Sequence, residues 1–457
     1  MKKAFLCLIL LCINLCYAAE ITILHTSDTH GRISPIEYKG KADIGGLSRR
    51  IYIFNKTKSD SKNYLLLDSG DVFQGSIYYR IDKGLLNAKL LPYLNYDAIA
   101  LGNHEFDDGL KILKRNIKAS KTQFLSANVH FKDKYLKTHV KPYIVKEFDG
   151  EKFLIIGVTT QSLKNLTTTG DITVTNPIYE IKKIIKNVDY DKLIILSHCG
   201  LEEDQRIANA IENIDIILGG HNHFFFEYPK YINKTPIIQD GEFGVRVGKI
   251  IFDKKLKSYS YLDVDSKYPK ENRTDSIISK ADKKINKDRN KIVATTTVDL
   301  IGDQTTIEHC QTNLGKLVLI SMTKPFKDYD AVITNSGSIR INRNLTDKIT
   351  YADLMEILPF ENKIVLVELQ GKYLKQCLYE GKIQTNRRFL QVYLKDKNID
   401  DNKTYKVITN DYIAAGKDGY KSLAHCKVIK KAKEKPVKLL YTTLKDISPI
   451  TNDNIKF

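Results

Sequence analysis

Aspartate, histidine and asparagine residues follow apolar runs at five places in the first part of the chain. The runs are Ile21–Asp28, Tyr64–Asp71, Ala98–Glu105, Leu193–Gly200 and Ile214–His223. The polar residues at or just past their ends are Asp28, His30, Asp71, Asn103, His198, His221 and His223. Carboxylate, imidazole and amide ligands without a thiolate suit zinc, manganese, cobalt or iron better than calcium or magnesium.

The position of these residues matters more than their number. A lone histidine after a strand is more often a hydrogen-bonded structural residue, and a lone aspartate more often forms a cap or turn. In an α/β sheet, however, the carboxyl ends of the strands form the binding crevice. Five of the ten histidines in the chain, the four named above and His104, fall at these strand ends. The pattern therefore predicts a metal site.

The elements that would position this site read as α/β. Each apolar run has the length of a buried strand. Segments with helical spacing lie between the runs, at Ile44–Asn55, Gly84–Leu94 and Leu201–Ile211. Arg246–Leu262 is expected to supply closing strands.

The composition changes near Tyr268. Pro269 is followed by the charged segment Glu271–Lys291, which favours a solvated helical connector. A second apolar series follows, with a predicted helix at Asn313–Met322 and predicted strands at Ala331–Asn335, Ile364–Leu369 and Tyr405–Asn410. The chain length also favours two cores. We therefore expect domains at residues 20–268 and 292–457, joined by a connector at 269–291.

The first 19 residues have the pattern of a secretory signal peptide. Lys2 and Lys3 precede the apolar run Ala4–Leu15, and Ala18 and Ala19 are small. The run is short for a membrane span. We expect a periplasmic or extracellular protein with no stable membrane insertion after signal removal. Lipid attachment at Cys16 is disfavoured by the bulky residue before it.

Charge and cysteine content bear on partners. The net charge of +18 comes from lysines and arginines spread along the chain. The sequence has no clustered stripe of basic and aromatic residues of the kind that predicts nucleic-acid binding. Lysines and arginines on a solvated surface are the simpler interpretation of the charge. Four cysteines follow the signal, and none has zinc-knuckle spacing. Export leaves open a disulfide among Cys310, Cys377 and Cys426.

The order of motifs is Asp-x-His, Gly-Asp, Gly-Asn-His-Glu, Ser-His-x-Gly and Gly-His-x-His, which resembles the calcineurin-like metallophosphoesterases. Further segments resemble the branch of 5′-nucleotidases and UDP-sugar hydrolases. These segments are Ile23–Gly31, Gly102–Asp107, Asn335–Arg340, Leu358–Asn362 and Asn410–Tyr420. The resemblance covers essentially the whole mature chain. It implies an N-terminal β-sandwich flanked by helices (α/β/β/α) and a smaller C-terminal α/β nucleotide-binding domain.

The resemblance also implies roles for individual residues. One divalent metal ion would be held by Asp28, His30, Asp71 and His223, and the other by Asp71, Asn103, His198 and His221. Asp71 would bridge the two ions. His104 would meet the charge that develops in the transition state, oriented by Asp107. The implied substrate-binding residues are Arg340, Phe360, Asn362, Tyr412 and Asp418, with a base between the rings of Phe360 and Tyr412.

One departure from the family pattern concerns phosphate binding. The family places one or two arginines before the Thr-Asn-Leu-Gly turn, whereas Glu308, His309 and Cys310 stand there in this chain. His309 or Lys316 could substitute, although lysine lacks the bidentate fork of arginine. Lys417 also stands where the family has a second glycine.

The predicted function is hydrolysis of nucleoside 5′-monophosphates by metal-bound hydroxide, with nucleotide sugars or polyphosphates as further substrates. Three alternatives remain open: a thioester or sulfate-type hydrolase, a secreted nucleotide-binding protein without catalysis, and a nucleic-acid-binding module. Retention of every expected ligand disfavours loss of catalysis.

Overall fold

The computed structural model describes residues 20–167, 170–383 and 389–457. The predicted signal peptide, residues 1–19, lies outside this part of the chain. Within the described ranges, no helix has both the length and the apolar character required to cross a membrane. The four cysteines found there are all free thiols, so none of the disulfides that the sequence left open is formed.

Two β-sheets form the centre of the first domain. Neighbouring strands of the seven-stranded sheet are, in order, Leu256–Asp263, Arg246–Phe252, Ile21–Thr26, Tyr64–Asp68, Ala98–Ala100, Phe124–Leu125 and Val140–Lys141. Those of the six-stranded sheet are Lys230–Ile232, Thr235–Gln239, Ile216–Gly219, Lys192–His198, Glu151–Thr159 and Tyr143–Phe148. Two further two-stranded antiparallel sheets pair Ile36–Tyr38 with Lys41–Ile44 and Val129–Phe131 with Ile172–Val174.

The apolar runs are continuous because both faces of their strands are buried. In the strand Ile21–Thr26, Ile23 faces the other sheet and Leu24 faces the flanking helices. In the strand Glu151–Thr159, Ile155 and Ile156 divide in the same way. The predicted α/β/β/α layering is confirmed.

Helices cover the outer faces of both sheets. Those of the first domain are Leu47–Asp60, Ile77–Asp82, Leu85–Leu94, Gly109–Ser120, Lys134–His139, Leu163–Leu166, Pro177–Ile185 and Leu201–Ala210, with a 3₁₀ turn at His104–Phe106. Local sequence explains their ends. Asn176, for example, precedes a proline at the first helical position, and its side chain accepts the N–H of Tyr179 at 3.1 Å.

The predicted connector contains the helix Asn272–Arg289. Its few apolar residues have a structural reason, because Ile278 is buried in the core of the first domain. Asp282 accepts hydrogen bonds from Ser34, at 3.0 Å, and from Tyr78. The helix is therefore attached to the first domain along one side and is not solvated all round.

The second domain is smaller. Neighbouring strands of its five-stranded sheet are Leu390–Leu394, Ala331–Asn335, Thr404–Asn410, Ile364–Gln370 and Lys427–Lys431. A two-stranded sheet pairs Ile292–Leu300 with Leu345–Thr350. The helices are Gln304–Ile307, Asn313–Thr323, Tyr351–Ile357, Gly371–Ile383, Asp411–Ala414 and Pro436–Ile447, with 3₁₀ turns at Ser336–Ser338, Lys417–Gly419 and Lys421–His425.

Most predicted elements lie within a few residues of the observed ones. The helix predicted at Ile44–Asn55 begins later, at Leu47, because Gly45 and Gly46 have φ of 78° and 97°, and it continues to Asp60. The strands Glu151–Thr159 and Thr235–Gln239 of the six-stranded sheet were missed, as was the short strand Phe124–Leu125 of the other sheet. His198 and His221 lie at the ends of strands of the six-stranded sheet, whereas Asp28 and Asp71 follow strands of the seven-stranded sheet, so the metal-ligand candidates come from two facing sheets.

Candidate active site

The structure brings the seven metal-ligand candidates together at one end of the sandwich. Asp28, His30 and His223 have ligand atoms within 4.8 Å of one another, and so do Asp28, Asp71 and His198. The remaining two candidates meet through Asn103 Oδ1 and His221 Nδ1, which are 2.9 Å apart. The backbone N–H of His221 is 3.1 and 3.2 Å from the two carboxylate oxygens of Asp28, which joins the groups.

The hydrogen bonds of His30 and His223 fix what their rings present to the centre. His30 Nδ1 lies 2.7 Å from the carbonyl oxygen of Gln74, and His223 Nδ1 contacts the Glu242 carboxylate. Since both partners are acceptors, each Nδ1 carries the proton. In neutral rings the two Nε2 lone pairs would face each other across 3.1 Å, and Asp28 Oδ1 lies 3.4 Å from His223 Nε2. A cation between these atoms would turn this repulsion into coordination.

A second group of atoms also fits a cation. His198 Nδ1 is 2.6 Å from the Ser69 carbonyl oxygen and donates to it, so Nε2 is the ring atom that faces Asp71. That buried Nε2 makes no hydrogen bond within the described part of the chain, although it lies 3.1 Å from Asp71 Oδ2. The same Asp71 oxygen is 3.9 Å from His30 Nε2. Asp71 therefore reaches both histidine groups, and Asp28 is also shared by both.

Burial and neighbouring charges shift the pKa values of the carboxylates in this cluster. Burial raises the pKa of Asp28 to about 7, partly countered by His198. Burial also acts to raise the pKa of Asp71, but the charges of His198 and His104 outweigh it and hold that pKa well below its usual value. The buried carboxylates thus depend on nearby positive charge, which divalent cations would provide. On donor type and geometry, the residues fit two metal ions.

Five of the seven candidates have a left-handed backbone. Their φ angles are 50° for Asp28, 48° for His30, 58° for Asp71, 76° for His221 and 60° for His223. Such angles are uncommon for residues other than glycine and cluster at functional sites. At two of the strand ends, such turns place alternate residues, Asp28 with His30 and His221 with His223, in the same cluster.

His104 lies beside the cluster and outside both groups of close ligand atoms. Its Nδ1 is 2.7 Å from Asp107 Oδ2, and Asp107 Oδ1 accepts a hydrogen bond from Thr167 at 2.8 Å. Burial lowers the pKa of His104, but the carboxylates of Asp107 and Asp71 more than compensate and raise it to about 9. Its Nε2 is 3.3 Å from Arg340 Nη2.

A cleft of about 1190 Å³ opens above the cluster. All five predicted substrate-binding residues line it: Arg340, Phe360, Asn362, Tyr412 and Asp418. The ring of Phe360 is 6.0 Å from that of His104 at an interplanar angle of 25°, and the guanidinium of Arg340 is 5.6 Å from the Phe360 ring. Tyr412 donates its hydroxyl to the Leu166 carbonyl at 2.7 Å, across the domain boundary. Asp418 accepts a hydrogen bond from Asn335 at 2.7 Å.

The region without the family's arginines also reaches the cleft. Glu308 lines it and accepts a hydrogen bond from Gln304 at 2.6 Å. Neither His309 nor Lys316 is among the lining residues, and His309 Nδ1 is 2.8 Å from the Thr305 carbonyl oxygen. The two substitutes considered from the sequence therefore do not reach the cleft in this conformation.

Sequence reasoning missed the residues that support the ligands. Glu242, which contacts His223, follows the missed strand Thr235–Gln239, so a sixth polar strand end was available as a signal. Glu105 accepts the backbone N–H groups of Asp71, Val72 and Gly102 at 2.9, 2.8 and 2.7 Å.

His25 supports the site from below. The fully buried His25 links Asp240 Oδ2, at 2.5 Å, to Ser69 Oγ, at 2.8 Å. The backbone carbonyl of Ser69 is the partner of His198. Only the burial of this histidine inside a strand hinted at such a role.

Fold and site define a class: a calcineurin-like phosphoesterase domain joined to a second domain that closes its cleft. Residues 21–225 match the calcineurin-like phosphoesterase model, and residues 292–395 and 383–425 match the 5′-nucleotidase C-terminal domain. The chain belongs to the 5′-nucleotidase family of the calcineurin-like metallophosphoesterases, and it is a phosphomonoester hydrolase.

Individual relatives agree with this family. Human 5′-nucleotidase is 29% identical over 432 residues, which cover 82% of this chain and 74% of that protein. The crystal structure of a 5′-nucleotidase precursor from Thermus thermophilus is 26% identical with a TM-score of 0.84, over 94% of this chain and 97% of that one. The trifunctional nucleotide phosphoesterase YfkN of Bacillus subtilis is 27% identical over 88% of this chain, which spans only 32% of that protein.

Proposed function

We propose that this protein removes phosphate from nucleoside 5′-monophosphates with two divalent cations, outside the cytoplasm. The observation that carries the proposal is that one cleft has the ligand cluster on the wall formed by the first domain and the aromatic residues Phe360 and Tyr412 on the wall formed by the second. A nucleotide needs both, because its phosphate and its base are chemically unlike and several ångströms apart.

Two ligand sets carry the metal ions in this proposal. Asp28, His30 and His223 would hold one ion, Asn103, His198 and His221 would hold the other, and Asp71 would be shared by both. The reach of Asp71 Oδ2 to both His198 and His30, 3.1 and 3.9 Å, supports the bridging role. Bound there, the ions would polarise the phosphoryl oxygens and supply the hydroxide that attacks phosphorus. Zinc, manganese, cobalt and iron all suit these donors.

His104 acts on the reacting phosphate without binding metal. Its Nδ1 is held by Asp107, so its Nε2 faces the cleft beside Arg340. The two carboxylates nearby favour the charged imidazolium, which would stabilise negative charge developing on the phosphoryl group or on the leaving oxygen.

The second domain selects the nucleoside. Phe360 and Tyr412 stack the base, Asn362 meets its edge, Asp418 binds ribose hydroxyls and Arg340 binds phosphate. A cleft of about 1190 Å³ also leaves room for nucleotide sugars and polyphosphates. Glu308 lines the cleft where the family has arginine, so phosphate contact depends on Arg340 and the metal ions. The domain limits proposed are residues 20–268 and 292–457, with the connector at 269–291.

Export is supported by the N-terminal sequence. Removal of residues 1–19 would release a mature protein that works in the periplasm or outside the cell, where extracellular nucleotides are its small-molecule substrates.

The test is a hydrolysis screen of residues 20–457 reconstituted in turn with zinc, manganese, cobalt and iron(II). Released phosphate is measured for AMP, ATP and p-nitrophenyl phosphate, UMP is measured for UDP-glucose, and sulfate is measured for a thiosulfate ester. We expect the highest kcat/KM with a nucleoside monophosphate. Turnover of the thiosulfate ester alone would favour the sulfate-type alternative. If the fully metallated protein bound nucleotides without hydrolysing them, the result would favour the alternative of a nucleotide-binding protein without catalysis.

A further inference from the structure

A side chain of the second domain reaches the support of a metal-ligand candidate in the first. Asn342 lies between the 3₁₀ turn Ser336–Ser338 and the strand Leu345–Thr350. Its Nδ2 is 2.9 Å from Glu242 Oε1. The other carboxylate oxygen of Glu242 contacts His223 Nδ1, and Glu242 is only 7% exposed. Asn342, Glu242 and His223 thus form a continuous chain across the domain boundary.

The direction of these hydrogen bonds is fixed by a fourth group. The backbone N–H of Gln304 donates to Asn342 Oδ1 at 3.0 Å. That bond assigns the amide oxygen, so the nitrogen of Asn342 must face Glu242 and donate to it. With one oxygen occupied by this neutral donor, the carboxylate is held with its other oxygen on the N–H of His223.

We propose that Asn342 is a positioning residue for the metal ion bound by Asp28, His30 and His223. The proposal rests on the two-metal site of the proposed function. Asn342 fixes the rotamer of Glu242, Glu242 fixes the tautomer and ring orientation of His223, and His223 Nε2 then faces the ion. A residue hydrogen-bonded directly to a histidine ligand, as Glu242 is, typically contributes about 10-fold to 100-fold to metal affinity, and Asn342 acts through Glu242.

The histidines at the other metal position are oriented from within the first domain. His198 is held by the backbone carbonyl of Ser69, and His221 meets Asn103. Both of these partners belong to the same domain as the histidines. A change at Asn342 should therefore weaken the binding of one ion and not of the other. General destabilisation of the protein would weaken the binding of both.

A competing explanation is that Asn342 serves only to hold the segment around Gln304. The substitution Asn342→Asp separates the two roles, because aspartate keeps an oxygen for the Gln304 N–H and loses the donor to Glu242. Asn342→Gly removes both bonds, and glycine accepts the φ of 50° found at this position without strain. Asn344→Ala is the matched control, since Asn344 holds the N–H of Gly302 at 3.1 Å in the same segment.

The experiment is equilibrium dialysis of the full mature chain against zinc buffered at increasing free concentration, with bound metal counted by elemental analysis. Wild type should bind two ions. In Asn342→Asp and Asn342→Gly, the affinity of one ion should fall about tenfold or more while the other is unchanged. Asn344→Ala should bind both as wild type does. Glu242→Gln should weaken one ion, and adding Asn342→Gly to it should cause little further loss.

Three results would overturn the proposal. Wild-type or tighter zinc binding by Asn342→Asp would show that the donor to Glu242 is dispensable. Equal weakening of both ions would indicate general loosening, which a matching fall in melting temperature would corroborate. Additive losses in the Glu242→Gln and Asn342→Gly double variant would show that the two residues act separately. Because the readout is zinc affinity, failure of the protein to hydrolyse nucleotides would refute the proposed substrate and leave this test intact.

Discussion

Removing the two rings of the second domain should separate nucleotide recognition from the chemistry of phosphate removal. Phe360 and Tyr412 line the cleft but lie outside the ligand cluster of the first domain. Stacking on an aromatic ring contributes about 1–3 kcal/mol per contact as measured by alanine substitution. For Phe360→Ala with Tyr412→Ala, the expected loss is therefore about 2–6 kcal/mol, or roughly 30-fold to 20,000-fold in kcat/KM for AMP.

The assay compares AMP with p-nitrophenyl phosphate, which has no base or ribose to be held. The small ester should change little. It also guards against a side effect, because the Phe360 ring lies 6.0 Å from the ring of His104 and its removal could disturb that histidine. Damage to His104 would lower turnover of both substrates.

A matched variant isolates the ring of Tyr412 from its hydroxyl. Tyr412→Phe removes the hydroxyl and with it the hydrogen bond to the Leu166 carbonyl, which is worth about 0.5–1.5 kcal/mol, and keeps the stacking surface. It should retain most of the AMP activity. If Tyr412→Phe and Tyr412→Ala were equally impaired, the anchor to the first domain would matter and the base sandwich would not. An unchanged kcat/KM for AMP in the double alanine variant would refute selection by the rings altogether.

Three further predictions concern the metal cluster. Asp71→Asn should lower metal content, by elemental analysis, together with phosphate release; full occupancy with undiminished turnover would contradict bridging. His104→Ala should keep both ions and lose about 100-fold to 10,000-fold in kcat, and loss of metal by the folded variant would make His104 a ligand instead. Gly102→Ala should impair metal binding without altering any ligand, because a Cβ there would lie 2.1 Å from Asp71 Oδ1; wild-type metal content would show that Asp71 can move aside.

The ligand candidates could be predicted from sequence because they follow long apolar strands. A polar residue just past such a run must lie at the edge of a sheet, whatever the rest of the fold. The buried run in Glu151–Thr159 was detectable on the same grounds, but no histidine or aspartate follows it directly. The division of the strands between two facing sheets depends on which strands pair. The sequence of a single strand does not determine its pairing partner.

The supporting contacts could not be predicted in the same way. Glu242 meets His223 because a strand end folds back beside the cluster, and Asn342 meets Glu242 because two domains dock with residues 100 positions apart in contact. The contact between Asn342 and Glu242 depends on the angle between whole domains, whereas Glu242 and His223 both belong to the first domain. Local patterns carry no information about that angle, so even a correct list of ligands leaves their supports unknown.

The left-handed turns at the ligand positions bear on how this protein would respond to selection for heat resistance alone. Non-glycine residues held at such angles typically cost on the order of 1–3 kcal/mol each, while whole domains are stable by only about 5–15 kcal/mol. Glycine relieves this strain but offers no ligand atom. A laboratory lineage selected only for heat resistance, without a requirement for phosphate release, should therefore accumulate glycine at Asp28, His30, Asp71, His221 and His223. Its thermal stability should rise as its activity is lost.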